Sequence, residues 1–192
     1  AVPNAFTYAD MITANRLGDP QVSPDGEWVV YSLTTTDVAA NKRTGALWIK
    51  AINGDTAPRR LAISDDGANT ARWGSDGRLY YLSSKSGTSQ VWRVDADLTT
   101  THQVTSLPLD VNAYRLDDKA DKLVVSLSIY PDCATLACSV DRMKVEAERK
   151  STGQVYDRMF VRHWDTWADG TKNHLFVVPV AGGDPIWVTK GF

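Results

Sequence analysis

The residues whose types could do chemistry crowd into one stretch, VYDRMFVRHWDTWADG, where Arg162, His163, Trp164, Asp165 and Trp167 stand almost side by side. Aromatic rings can wall a ligand while a carboxylate meets a cationic group, so the stretch reads as a ligand-facing rim. The competing reading is a packed, salt-bridged hairpin in which Asp165 only satisfies Arg162 or a backbone donor. If the chain is extended here, Arg162, Trp164 and Thr166 point one way and His163, Asp165 and Trp167 the other, with Asp169-Gly170 making a turn. Upstream, VDRMKVEAERKSTGQ carries Glu146 and Glu148 among helix formers and ends its helical pattern at Gly153, with Met143, Ala147 and Val140 along one side. Two residues apart on a helix, the two carboxylates diverge by about 200°. Only a distorted turn or a strand would let them converge; otherwise they belong to a solvated charged surface.

No complete catalytic constellation accompanies these residues. A serine hydrolase of the α/β type needs a GxSxG elbow, which holds the nucleophile on a strained strand-to-helix turn. The nearest string, Gly87-Thr88-Ser89-Gln90-Val91, lacks the closing glycine and reads as a hairpin between strands. His102, His163 and His174 are scattered, with His102 expected in a polar turn and His174 at a strand start. HExxH, P-loop and GxGxxG strings are missing, and VDADLTT around Asp95 and Asp97 lacks EF-hand spacing. The expectation is no metal site, no cofactor and no catalytic residue within the chain.

The elements that must position the stretch come from a repeat. SPDG, Ser23 to Gly26, fits a turn with Pro at its second position and Gly where the left-handed conformation follows, and it feeds Trp28-Val29-Val30-Tyr31. Gly74-Ser75-Asp76-Gly77 repeats it before Leu79-Tyr80-Tyr81-Leu82, and DDKADKLVV is a degenerate third copy with Asp121 read as its aspartate. The downstream halves match as well: ALWIKAINGDTAPRRLAI, QVWRVDADLTTTHQVT and HLFVVPVAGGDPIWVT are each strand, polar turn, strand. A period of about 45 residues with four short strands per unit marks a β-propeller blade, a twisted four-stranded antiparallel sheet that must stack on its neighbours. The alternative is a β-sandwich with coincidental SxDG turns. The expected fold is all-β, a partial β-propeller of about three four-stranded antiparallel blades: 19–64, 68–106 and 112–190. An insertion at 132–171 interrupts the third blade, and a short helical segment at 1–18 precedes the first. In that segment Thr7 and Asp10 form a capping box, and Met11, Ile12 and Leu17 offer an apolar face for a helix of two or three turns. Propellers close with roughly four to eight blades, so the chain reads as the front portion of a longer protein, or as one whose edges a partner covers.

Composition sets outer limits. Of 192 residues, 43% are apolar and 23% charged, as in soluble globular proteins, and the seven Trp and seven Tyr suit a β-rich fold. The net charge of −2 comes without a basic stripe, which argues against nucleic acid, and no apolar run reaches the roughly 20 residues of a membrane span. The start at AVPNAF, without an initiator Met, fits signal-peptide removal as well as an artificial start. Cys133 and Cys138 in PDCATLAC are too far apart for CxxC redox chemistry and lack partners for zinc. They point to a local disulfide, over two buried thiols, and through it to a periplasmic or secreted protein.

FTYADMITANRLGDPQVSPDGEWVVYSLTTTD resembles the start of the propeller domain in the prolyl oligopeptidase family. YDRMFVRHWDTWADG with PDCATLAC resembles the bacterial dipeptidyl-peptidase V and acylaminoacyl-peptidase-like branch of that family. The resemblance covers nearly the whole chain; SPDG turns are common to many propellers, whereas VRHWDTW is more specific. It implies a propeller followed by a C-terminal α/β-hydrolase domain with Ser, Asp and His, which removes dipeptides from the free N-terminus of peptides. No position here matches those catalytic residues. It implies further that the propeller gates access and that acidic residues on it hold the substrate's α-ammonium group. The candidates are Glu146, Glu148 and Asp165, with Trp164 and Trp167 as apolar walls and Arg162 beside them. The implied partners are a peptide substrate and the remaining blades and hydrolase domain of the same protein. The competing function is a non-catalytic propeller that binds or scaffolds envelope complexes. The insertion favours the peptidase, since a scaffold needs no long excursion rich in Trp, Arg and Asp.

Overall fold

The computed structural model describes residues 5–157, 159 and 161–191. The first four residues, and with them the Ala1 start and part of the 1–18 segment, lie outside the described residues, as do Arg158 and Phe160 of the aromatic-rich stretch. A six-residue helix, α1 (Tyr8–Thr13), comes first. Thr7 caps it as expected: its hydroxyl accepts the Asp10 N–H at 3.2 Å while the Asp10 carboxylate accepts the Thr7 N–H at 2.8 Å. The helix is shorter than the two or three turns expected. Leu17 belongs to the first strand and is exposed, so the Met11-Ile12-Leu17 face does not form.

Three four-stranded antiparallel sheets follow. Sheet 1 runs β1 (Arg16–Val22), β2 (Trp28–Asp37), β3 (Lys42–Ala51), β4 (Arg59–Arg60), and sheet 2 runs β5 (Asn69–Trp73), β6 (Leu79–Ser83), β7 (Gln90–Val94), β8 (Thr101–Gln103). Sheet 3 begins with β9 (Val111–Leu116) and β10 (Lys122–Ile129). It is then interrupted by α2 (Leu136–Glu148) and a small hairpin, β11 (Arg162–His163) and β12 (Thr166–Trp167), before β13 (Lys172–Pro179) and β14 (Ile186–Trp187) complete it. His102 therefore lies in β8 rather than in a polar turn.

The repeated turns occupy equivalent places. Each joins the first and second strand of its sheet, and each closes with the same backbone bond: Gly26 N–H to Ser23 O at 2.9 Å, Gly77 to Gly74 at 3.0 Å, Ala120 to Asp117 at 3.1 Å. The donors have φ of +74°, +75° and +54°. The first two are glycines, which accept that conformation freely, and the third is an alanine held there by its sheet. The third copy is thus aligned differently from the sequence reading. Lys119 stands where Asp25 and Asp76 stand, and Asp121 falls past the turn. Asp117 takes over the capping, its carboxylate accepting the N–H groups of Asp121 and Lys122 at 3.0 and 3.1 Å.

The sheets stack face to face. All five residues of β6 are buried, because both faces of sheet 2 are covered. Leu79 and Tyr81, with Val94 of β7, meet Val30, Leu47, Ile49 and Leu61 of the sheet 1 unit. Tyr80 and Leu82, with Val91, meet Tyr114, Leu123, Val125, Leu127 and Phe176 of sheet 3. Burying both faces of the middle sheet removes its need for polar alternation, which is why LYYLS has none. The outer faces differ: Val124, Leu175 and Ile186 on sheet 3 and Leu17 and Val22 on sheet 1 are exposed. The architecture is a partial β-propeller whose ring these three sheets leave open. Among the described residues no helix is long and apolar enough to cross a membrane.

Candidate functional site

The insertion leaves sheet 3 at the end of β10 and is tied down at once. Tyr130 follows β10, its carbonyl accepts the Cys133 N–H at 3.0 Å, and Cys133 is disulfide-bonded to Cys138 with Cα atoms 5.6 Å apart. Thr135 caps α2 by accepting the Cys138 N–H at 3.2 Å. Ser139, wholly buried, accepts the Tyr130 N–H at 3.1 Å. Leu136, Val140 and Met143, spaced for one face of a helix, pack against the core of sheets 2 and 3. The apolar side therefore uses Val140 and Met143 as expected, with Leu136 in place of Ala147. The helix starts earlier than its charged stretch suggested and ends at Glu148, before Gly153.

This docking fixes which charged residues point where. Arg142 lies with its guanidinium 4.0 Å from the centre of the Tyr130 ring and donates to both carboxylate oxygens of Asp132 at 2.8 and 2.9 Å. Glu146 follows one turn later; among the described residues its carboxylate makes only a loose contact, with Arg149 at 3.6 Å. A cavity of about 450 Å³ opens here, lined among others by Tyr130, Arg142, Glu146, Arg149, Asp157 and Asp169. Tyr130, a buried residue, is part of its lining. Burial raises its phenol above the ordinary value, the Asp169 carboxylate adds to the rise, and Arg142 opposes it. Gly170, with φ +87°, passes over the same ring; a Cβ there would stand 3.4 Å from it in a conformation that side chains rarely adopt.

The aromatic stretch forms a hairpin, the form of the competing reading, and does not run extended through Trp164 and Asp165. Arg162 pairs with Trp167 and His163 with Thr166, so Trp164 and Asp165 form a two-residue hairpin loop, with Trp164 at φ +53°. The alternation of faces breaks at that loop, which puts Arg162 and Trp167 directly opposite each other, the guanidinium 5.3 Å from the ring centre. Asp169-Gly170 is a second turn, with the Asp169 carboxylate accepting the Thr171 N–H at 2.9 Å. Trp167 also stacks with Tyr156 at 6.2 Å and lines an adjoining cavity of about 420 Å³ with Thr152, Gln154 and Tyr156.

Of the sequence candidates, Glu146 lines the first cavity and Trp167 the second, with Arg162 over the Trp167 ring. Glu148 lines neither, since the helix is regular and turns it away from Glu146. Trp164, 84% exposed, and Asp165 stand at the hairpin tip outside both cavities; Asp165 meets the Thr166 hydroxyl at 3.4 Å. Tyr130, Arg142 and Asp169 are cavity residues that sequence reasoning missed. Tyr130 follows an ordinary strand and Asp169 opens an ordinary turn, and only the fold brings them together. A further cavity, about 480 Å³, lies at the turn end of sheets 1 and 2, with Trp28, Trp73, Asp25 and Asp76 among its lining residues.

No family profile matches the chain. It is 30% identical over 175 residues to dipeptidyl-peptidase 5 of Porphyromonas endodontalis, an alignment that takes in 89% of this chain and 24% of that protein. The chain spans about a quarter of the length of the curated relatives it matches. Acylaminoacyl peptidase of Pyrococcus horikoshii superposes with a TM-score of 0.64 at 16% identity, over 92% of this chain and 25% of that one. A protein described as putative TolB from Agrobacterium tumefaciens superposes with a TM-score of 0.54 at 16% identity, over 91% of this chain and 48% of that one. At such identities the two structures show the fold alone.

Proposed function

We propose, from the premise that this chain belongs to the prolyl oligopeptidase family as a propeller portion, that it serves a secreted or periplasmic serine exopeptidase of the dipeptidyl-peptidase type. The nucleophile and its partners are expected in an α/β-hydrolase domain of the same protein. The propeller portion gates access and holds the free N-terminus of the peptide. The observation that carries this reading is the cavity on the insertion, where Glu146 and Asp169 flank the buried Tyr130. A peptide's α-ammonium group brings three donors and a positive charge, and a partly desolvated carboxylate is its strongest partner. Glu146 is the assigned anchor, and Trp167 with Tyr156 is the apolar wall beside it. Glu148 and Asp165 take secondary places, since neither lines the cavity.

The reading is tested in the full-length enzyme with Glu146→Gln. The expected result is a rise in KM of about 10- to 100-fold for substrates with a free amine, as for loss of a charge-assisted bond worth roughly 1.5–3 kcal/mol, with kcat little changed. An unchanged KM removes Glu146 from the site.

A further inference from the structure

We propose that Asp132 is a positioning residue for Glu146: it holds Arg142 away from the anchoring carboxylate and so keeps that carboxylate open to an incoming cation. The inference rests on the reading of Glu146 given above. Arg142 and Glu146 are four residues apart on α2, the spacing at which side chains of opposite charge meet across one turn of a helix. Left to themselves they would pair. Instead, Arg142 spends its guanidinium elsewhere. It lies over the Tyr130 ring at 4.0 Å and binds both oxygens of Asp132 at 2.8 and 2.9 Å. Glu146 keeps only the 3.6 Å contact of one oxygen, Oε2, with Arg149, and its other oxygen has no partner among the described residues.

The other charges near Arg142 do not account for this arrangement. Arg142, Glu146, Arg149, Asp157 and Asp169 share the cavity, whereas Asp132 stands outside it, just after β10, where the disulfide and the α2 cap fix the backbone. The Asp132 side chain is 72% exposed. An ion pair so open to water contributes little to folding. Its consequence is the direction in which Arg142 points, and that consequence falls on Glu146, the nearest anion on the same helix face. Asp132 touches neither substrate nor cavity and would act only through Arg142.

The experiment is a set of variants in the full-length enzyme, read as KM and kcat on a dipeptidyl substrate with a free amine, with Tm alongside. Asp132→Asn releases Arg142 toward Glu146. The expected result is a KM raised about 2- to 5-fold, as for a competing surface ion pair, with kcat and Tm nearly unchanged. Asp132→Asn is also made in an Arg142→Gln background and compared with Arg142→Gln alone; with the competitor gone, the change at Asp132 is expected to leave KM where Arg142→Gln alone sets it. Loss of the Asp132 effect in this background would not follow if Asp132 only braced the fold. Glu146→Gln separates the two levels. If it leaves KM unchanged, the anchor reading fails and this inference fails with it. If it raises KM but Asp132→Asn does not, or if Asp132→Asn raises KM equally in the Arg142→Gln background, the anchor stands and the role given to Asp132 is overturned.

Discussion

Tyr81 lies fully buried between sheets 1 and 2, and burial pushes its phenol up to about 12, with the Asp66 carboxylate adding to the rise. Tyr80, on the other face of the same strand, is pushed up to about 12 by burial first and by Asp76 second; it donates to the Asp76 carboxylate at 3.0 Å. Tyr114, which donates to the Thr70 carbonyl at 2.8 Å, is raised further by burial. A phenol whose pKa is higher folded than unfolded keeps its proton in the native state after the unfolded chain has released it. Its contribution is whole below about pH 10, the unfolded value, and is lost as pH rises from there through the folded value. Tm is therefore expected to fall steeply between about pH 10 and 12, and Tyr81→Phe is expected to flatten that fall. A thermal melt series across this range checks it; an unchanged slope in the variant would assign the alkaline loss to other groups. At this scale much was legible in the sequence. Ser-Pro-Asp-Gly and Gly-Ser-Asp-Gly announced their turns because turn chemistry is local. Ala120 did not, since an alanine at φ +54° is held by the surrounding sheet and carries no signature of its own.

The disulfide belongs to the scale of elements, because it joins the end of one to the start of another. Cys133 follows β10 and Cys138 lies in the first turn of α2, beside the Thr135 cap and the Ser139 hydroxyl that accepts the Tyr130 N–H. Closing so short a loop stabilises by about 2 kcal/mol in the chain-entropy model. Replacing both cysteines by serine is expected to lower the denaturant midpoint accordingly and to loosen α2 before the sheets. Hydrogen exchange at α2 amides checks this: faster exchange there with sheet protection retained is the expected pattern, and uniform loss contradicts it. The helix was legible from VDRMKVEAER but its start was not, since Leu136 and the cysteines carry no charge pattern. A hairpin was one of the two readings the stretch allowed; the assignment of faces made for an extended chain does not carry through it, because two residues of loop at Trp164-Asp165 reset the alternation. The partnership of Tyr130 with Asp169 was illegible for a different reason: it joins residues from opposite ends of the insertion.

Across the whole molecule, the middle sheet is covered twice and the outer sheets once. That asymmetry leaves Leu17 and Val22 on one flank and Val124, Leu175 and Ile186 on the other exposed to water. Apolar patches on open sheets favour association. The isolated chain is expected to self-associate with rising concentration, and Val124→Lys, on the exposed face of β10, is expected to weaken that association without lowering Tm. Sedimentation velocity checks both, and a concentration-independent monomer would contradict the first. The stack was readable from sequence because each repeat carries its own turn and apolar run, while its open flanks depend on which faces find neighbours. The same fold in a peptidase and in a protein described as putative TolB means that the fold by itself does not decide function.

The hydrogen-bonded register between β10 and β13 is continuous from Lys122↔Pro179 to Ile129↔Lys172, although α2 and the small hairpin are spliced between them. Lengthening a tight connection to about 40 residues costs only about 2–3 kcal/mol of closure entropy, because the cost grows with the logarithm of length. The ladder and the excursion are thus nearly separate inheritances. Evolution, or an engineer, can resize or transplant the excursion while the strands beneath keep their partners.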